Sequence, residues 1–136
     1  MTDRPRIADY MTRDLVTLSP DDEITQAMHT LLSARISGAP VLDAAGELVG
    51  VLSKKDCLRA ALHASYHRDW GGAVAHYMTR EVETMEARTD IVTAAQRFVD
   101  SAFRRFPVVS DGRLVGQISR ADVLRALAEQ WSGTRR

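Results

Sequence analysis

Cysteine is nearly absent from this chain of 136 residues, and the single one present, Cys57, cannot form a disulfide within the chain. One cysteine agrees with a reducing compartment, so we expect a cytoplasmic protein. Net charge is also absent, because 18 Lys and Arg residues balance 18 Asp and Glu residues. This balance, together with an aromatic content of 6%, argues against a nucleic acid partner.

Long apolar runs are missing as well. No stretch approaches the roughly 20 apolar residues that a membrane helix needs, and the polar residues 1–6 do not resemble a signal peptide. We therefore expect neither export nor a membrane partner. A hydrophobic content of 45% and a charged content of 26% are ordinary for a folded globular protein.

The most informative feature of the sequence is an internal repeat. Tyr-Met-Thr-Arg at 10–13 returns at 77–80, and Gly-x-x-Ser-x-x-Asp at 50–56 returns at 116–122. When the two copies are aligned, 19 of 52 positions are identical. The sequence therefore predicts three segments: a first repeat at 7–63, a polar connection at 64–73 that includes Trp70, and a second repeat at 74–131.

The elements of each repeat follow from turn residues and periodicity. Asp and Gly residues at 43–46 and 110–112 indicate a hairpin turn between two short strands. Short edge strands are predicted near 16–18 and 82–85, which gives each half the order β-α-β-β-α and the chain an α/β (α+β) fold. Two helices in each half are indicated by apolar residues at helical spacing: Ile24, Ala27, Met28, Leu31 and Leu32, then Cys57, Leu58, Ala61 and Leu62, and in the second half Ile91, Ala94, Ala95, Phe98 and Val99, then Val123, Leu124, Leu127 and Trp131.

Each repeat places a serine at the start of its second helix and an aspartate three residues later. Ser53 and Asp56 form this pair in the first repeat, and Ser119 and Asp122 form it in the second. The spacing matches a capping box, in which the two side chains serve only to begin the helix.

Basic residues in the first turn of the same helices suggest a second interpretation. Lys54, Lys55 and Arg120 occupy positions where the helix dipole disfavours a cation unless an anion is bound nearby. Helix N–H groups, a serine hydroxyl and a basic side chain together suit a phosphate. The sequence leaves both interpretations open.

The order of elements, the Pro-Val strands at 40–41 and 107–108 and the two closing Gly-x-x-Ser-x-x-Asp sequences resemble the CBS (cystathionine-β-synthase-like) domain. Such domains occur in tandem pairs called Bateman modules, and the resemblance covers residues 7–62 and 74–131. It implies two repeats with pseudo-two-fold symmetry and two ligand clefts between them. We expect a standalone, non-catalytic module that binds AMP, ADP, ATP or a related adenosyl ligand, uses no catalytic cofactor, and regulates a partner protein.

The resemblance also implies which residues bind the nucleotide. Ser53 and Ser119 would contact phosphate, and Asp56 and Asp122 would accept hydrogen bonds from the ribose hydroxyls. Because the first strand of one family repeat covers the site of the other, Val16, Thr17 and Leu18 would face the Asp122 site, and Glu83, Thr84 and Met85 the Asp56 site. The other nucleotide-binding residues that we predict are Ile36, Gly38, Ala39, Pro40, Lys54, Lys55, Arg104, Arg105, Phe106, Pro107 and Arg120.

The two sites should not be equivalent, because Ser37-Gly38-Ala39 in the first repeat becomes Arg104-Arg105-Phe106 in the second. The larger residues would either fill the cleft or bring guanidinium groups to a polyphosphate. We favour the phosphate role for at least one arginine.

We further expect a homodimer, because apolar helix faces that include Ala27, Leu31, Ala94 and Phe98 would pack across a two-fold axis. The main alternative is a protein-interaction or dimerisation module with no small-molecule ligand, since a fold alone does not guarantee binding. His63 and His67 have the spacing of metal ligands on a helix but no evident third ligand, so we expect no metal site.

Overall fold

The computed structural model describes residues 4–68 and 71–134, so Trp70 of the predicted connection lies outside the described residues. Two short 3₁₀ helices, Ile7–Asp9 and Val74–His76, occupy equivalent places in the two repeats. The helices are α1 (Ile24–Ala34), α2 (Lys54–His67), α3 (Ile91–Val99) and α4 (Arg120–Thr134), and the strands are β1 (Gly38–Leu42), β2 (Leu48–Ser53), β3 (Met85–Glu86), β4 (Arg105–Ser110) and β5 (Arg113–Ser119).

The second repeat has the predicted order β-α-β-β-α, and the first repeat differs only in its first strand. Near residues 16–18 the pairing is reduced to a single parallel bridge between Leu18 and Val41. Helix α2 continues to His67, so the first four residues of the predicted connection are helical. Within the described residues, no helix combines the length and the apolar character needed to cross a membrane.

The chain forms two compact units whose boundaries differ from those of the sequence repeats. Residues 16–82 form the first unit, which we call the central unit. Residues before 16 and residues from 83 onward together form the second, which we call the split unit. Each Tyr-Met-Thr-Arg sequence thus belongs to the same unit as the Ser-x-x-Asp sequence of the other repeat.

The central unit is built on the antiparallel pair β1-β2. Leu18 adds a bridge on the outer side of β1, and Thr79 adds an antiparallel bridge to Val51 on the outer side of β2. The buried residues of the unit form one apolar cluster that also receives Val74 and Met78 from the segment around the second 3₁₀ helix.

The split unit repeats this plan with β3, β4 and β5 in one sheet. Strand β3 pairs in parallel with β4, β4 pairs antiparallel with β5, and Thr12 bridges to Gln117 on the outer side of β5. Ile7 is fully buried in the core of this unit, so the N-terminal segment is part of its packing.

Two glycines explain why a methionine segment can lie against each hairpin. A Cβ atom on Gly50 would be 2.7 Å from Sδ of Met78, and one on Gly116 would be 2.7 Å from Sδ of Met11. Only glycine leaves room for so close an approach between the strand and the segment. This accounts for the recurrence of Gly and Tyr-Met-Thr together in both repeats.

The helix faces differ from the expectation in one respect that concerns the dimer. Ala27, Leu31, Ala94 and Phe98 are at most 6% exposed, because all four lie in the core of their own unit. The prediction that these four residues form a face between subunits is therefore wrong. Other apolar residues of the helices are exposed: Leu32, Leu58, Leu62, Tyr66, Val92, Val99, Leu124 and Trp131.

Candidate functional site

In the central unit, the predicted site residues converge at one end of the β1-β2 hairpin. Gly38 is the register partner of Ser53, so the start of β1 lies beside the start of α2. The N–H of Lys54 donates to the carbonyl of Ser37 at 2.8 Å, and the N–H of Leu18 donates to the carbonyl of Pro40 at 2.9 Å. These backbone bonds bring the three predicted segments of this repeat together: 16–18, 36–40 and 53–56.

Asp56 is the one buried charged residue among those described, and its carboxylate is surrounded by donors. The N–H and the hydroxyl of Ser53 both donate to Oδ2, each at 2.9 Å. Arg59 donates to Oδ1 at 2.9 Å, and the hydroxyl of Thr79 lies 3.4 Å from both oxygens. The N–H of Asp56 donates in return to the Ser53 hydroxyl, so the predicted capping box is present.

The split unit has the same backbone arrangement around the start of α4. Arg105 is the register partner of Ser119, and the N–H of Arg120 donates to the carbonyl of Arg104 at 3.1 Å. The Arg120 side chain folds back and donates through Nε to the carbonyl of Phe103 at 3.0 Å. Two basic side chains, those of Arg104 and Arg120, are exposed beside this helix N-terminus.

Asp122 has fewer partners than Asp56. The N–H of Ser119 donates to Oδ2 at 2.9 Å, and Arg125 approaches Oδ1 at 3.3 Å. Arg125 is shared with Tyr10, because its Nη2 is 3.4 Å from the Tyr10 carbonyl and its guanidinium lies 5.6 Å from the centre of the Tyr10 ring. The Tyr10 hydroxyl donates to Glu129, and this hydrogen bond raises the pKa of the Tyr10 phenol.

The predicted residues of β1 and β4 contribute mainly backbone to the surface. The side chains of Ala39, Pro40, Phe106 and Pro107 are buried. Phe106 lies in the core of the split unit, with its ring 5.0 Å from that of Phe98. A ligand at this edge would therefore meet the main chain of these residues, and the aromatic ring of Phe106 is not available as a wall.

The segment at 83–85, which leads into β3, is held by an arginine of α3. Arg97 donates to the carbonyl of Thr84 at 2.6 Å, lies 3.5 Å from Glu83 and stacks 4.6 Å above the ring of Phe106. In the first repeat the equivalent position is Thr30, whose hydroxyl donates within α1. The two units thus share a backbone arrangement and differ in the side chains that support it.

The family model of the CBS domain matches two stretches of this chain, residues 7–63 and 74–129. The chain belongs to the CBS domain family. The two Ser-x-x-Asp sequences described above close the two CBS domains, and the paired arrangement agrees with the fold predicted from the repeat.

Two CBS proteins of known sequence illustrate the range of relatives. Protein MJ1225 of Methanocaldococcus jannaschii is 30% identical over 126 residues, which is 93% of this chain and 44% of that protein. The human 5'-AMP-activated protein kinase subunit gamma-3 is 32% identical over 133 residues, which is 87% of this chain and 26% of that subunit. The chain therefore spans less than half of the length of either relative.

A solved structure matches over nearly its whole length. CBSX2 from Arabidopsis thaliana, crystallised in complex with AMP, has a TM-score of 0.79 and 30% sequence identity to this chain. The match covers 93% of this chain and 98% of the CBSX2 chain. The CBS-domain pair is thus the architecture of the whole chain.

Four residues that lie beside the two Ser-x-x-Asp sequences were not singled out from the sequence: Arg59, Thr79, Tyr10 and Arg125. A signal for the arginines was present, because Asp-x-x-Arg recurs at 56–59 and 122–125. Thr79 contacts Asp56 from 23 residues away, which no local pattern could indicate. The assignment of Val16, Thr17 and Leu18 to the Asp122 site, and of Glu83, Thr84 and Met85 to the Asp56 site, stays a prediction.

Proposed function

We propose that this protein is a non-catalytic regulatory module that binds AMP, ADP, ATP or a related adenosyl ligand and changes the activity of a partner protein. The observation that carries the proposal is the match to CBSX2 in complex with AMP, at 30% identity over nearly the full length of both chains. The ligand would lie at the start of α2 or α4, with a serine and basic residues on its phosphate and an aspartate on its ribose.

The start of α4 supports this placement of the phosphate. A first helical turn presents backbone N–H groups without intrahelical partners, and its dipole favours an anion. Arg104 and Arg120 are exposed there. Because Arg120 uses its Nε to bond Phe103, its guanidinium is held in place, and a phosphate would meet it without further ordering of the side chain.

Thermal unfolding with AMP, ADP, ATP and S-adenosylmethionine tests ligand binding. A ligand at about a hundred times its dissociation constant should stabilise the protein by about 2.7 kcal/mol. Arg120→Gln should weaken a phosphate-bearing ligand by about ten-fold, because a charge-assisted contact is lost. Arg113→Gln is the matched control, since Arg113 is an exposed arginine at the start of β5. No shift with any ligand would favour the protein-interaction module instead.

Regulation requires that the ligand bind two conformations with unequal affinity. Small-angle scattering profiles of the protein should therefore differ with and without the nucleotide that gives the largest thermal shift. Identical profiles would remove the support for a conformational switch within the isolated module.

The proposal includes a homodimer formed through the exposed sides of α2 and α4. Leu58 and Leu124 occupy equivalent positions in the two repeats and are 66% and 65% exposed. Matched apolar faces suit a two-fold contact with a second copy of the chain. Sedimentation at micromolar concentration should give about twice the chain mass of 15.1 kDa. The double variant Leu58→Gln, Leu124→Gln should sediment as a monomer, whereas His63→Gln, on an exposed part of α2, should not change the mass.

We also place the protein in the cytoplasm, because its single cysteine, Cys57, is a buried free thiol that needs no oxidising compartment. Fractionation of cells that produce the protein tests this assignment. Recovery in a secreted or membrane fraction would contradict it.

A further inference from the structure

The two Ser-x-x-Asp sequences have the same spacing but do not offer the same carboxylate to a ligand. An ionised carboxylate has about four lone-pair positions, two on each oxygen. A ribose can be held by one carboxylate when each of its two neighbouring hydroxyls donates to a different oxygen. The carboxylate must therefore keep one open position on each oxygen.

Asp56 does not meet this requirement. Three donors lie at 2.9 Å from its oxygens, and the Thr79 hydroxyl is a fourth at 3.4 Å. Both positions on Oδ2 are taken by Ser53 alone. The side chain is only 4% exposed, so a ribose could reach it only by displacing the residues that now bond to it.

Asp122 does meet it. Each of its oxygens receives one donor from the described residues, Ser119 on Oδ2 and Arg125 on Oδ1. The side chain is 13% exposed, about three times the exposure of Asp56. One position on each oxygen is thus open for a hydroxyl.

The serines differ in the same direction. The Ser53 hydroxyl donates its proton to Asp56, which leaves no donor for a ligand. The Ser119 hydroxyl accepts the N–H of Asp122 at 3.1 Å and donates to none of the residues that the structure describes. Ser119 therefore keeps a proton that can be donated to a phosphate oxygen.

Two residues outside the Ser-x-x-Asp sequences contribute to the difference. Thr79 reaches Asp56 in the central unit, whereas Thr12, its counterpart in the split unit, makes no hydrogen bond to Asp122 within the described residues. Arg59 is committed to Asp56 at 2.9 Å, whereas Arg125 divides its contacts between Asp122 and Tyr10.

We infer that Asp122 is the ribose acceptor of this protein and that Asp56 is a structural helix cap, so that each chain binds one nucleotide through the Ser119–Asp122 sequence. This inference rests on the proposed function and adds to it the number of sites and the residue that selects a ribose. Arg59 and Thr79 distinguish the two repeats, because together they complete the set of donors around Asp56.

Calorimetric titration of the full chain with AMP, ADP and ATP, each compared with its 2′-deoxy form, tests the inference. We expect one site per chain, and about ten- to hundred-fold weaker binding of the deoxy form, because one hydrogen bond to a charged group is lost. In Asp122→Ala the ribonucleotide should bind at least as weakly as the deoxy form binds to the parent protein, because both ribose hydroxyls lose their acceptor. Asp111→Asn is the control, since Asp111 is an exposed residue of the β4-β5 turn whose left-handed backbone asparagine also adopts.

Amide spectra of the parent protein give a second measurement that does not depend on a folded variant. The nucleotide should shift the amide signals of Ser119 and Asp122 and leave those of Ser53 and Asp56 in place. Two sites per chain, equal shifts at both sequences, or full discrimination against the deoxy form in Asp122→Ala would overturn the inference and leave the proposed function intact. If no nucleotide gives a heat of binding or a change in the amide spectrum, the proposed function is overturned, and the inference with it.

Discussion

A methyl group added at Gly50 should destabilise the central unit, although the φ of Gly50 does not lie in the left-handed region. An added Cβ lies 2.7 Å from Sδ of Met78 and 2.9 Å from the carbonyl oxygen of Thr79. The sulfur sits on a flexible side chain and can move. The Thr79 carbonyl is fixed, because it accepts the N–H of Val51 while the N–H of Thr79 donates to the carbonyl of Val51. Overpacking and weakening of these bonds should together cost about 2 to 4 kcal/mol in Gly50→Ala.

Urea unfolding followed by circular dichroism measures this loss. The matched control is Gly112→Ala, where an added Cβ meets nothing within 4 Å but φ is +77°. That variant should lose only about 1 kcal/mol, the cost of the left-handed backbone. Met78→Ala should cost less in the Gly50→Ala background than in the parent protein, since there it also removes one of the two clashes. A Gly50→Ala protein within about 0.5 kcal/mol of the parent would refute the reasoning.

Three further outcomes follow from individual side chains. Asp56→Ala should lower the free energy of unfolding by about 1 to 2 kcal/mol more than Asp122→Ala, because more donors lose their acceptor; equal losses in urea titrations would contradict this. Asp90→Ala should cost about 1 kcal/mol at neutral pH, because Asp90 caps α3. The N–H of Thr93 donates to Asp90 and lowers the pKa of its carboxyl group. The cap therefore stabilises the protein above about pH 4, and this stabilisation disappears as the pH falls through the lowered pKa. The free energies of unfolding of the parent and of Asp90→Ala should then converge in acid. Burial raises the pKa of Cys57, so its thiol should react with Ellman's reagent about ten-fold more slowly in the native protein than in urea, and equal rates would show that it is accessible.

The features that could be predicted from the sequence are those set by neighbours along the chain. Helical periodicity located α1 and α3, and the Asp and Gly residues between strands located both hairpins. The capping box at Ser53 was also visible, because its two side chains are three residues apart. In each case the interaction that forms the element is local, so the residues that make it stand together in the sequence.

The features that were missed depend on what covers a residue. An apolar pattern indicates a helix but does not say which of its residues are covered: the spacing that predicted α2 and α4 includes Leu58 and Leu124, and both are exposed. The full set of donors around Asp56 could not be predicted for a related reason. Its partner Thr79 belongs to the other sequence repeat, and no spacing rule connects them.

Residues 4–15 pack in the split unit, and this affects when they can fold while the chain is synthesised. The central unit is complete once residue 82 has been made, whereas residues 4–15 must wait for partners that begin at residue 87 and extend to Gln117 in β5. At ordinary rates of translation this delay is on the order of 5 to 20 seconds. Residues 4–15 are therefore made before the central unit and dock after it, and Ile7, Tyr10 and Met11 stay uncovered in the meantime. A nascent chain stalled after residue 82 would carry one finished unit and one apolar segment that still waits for its own unit.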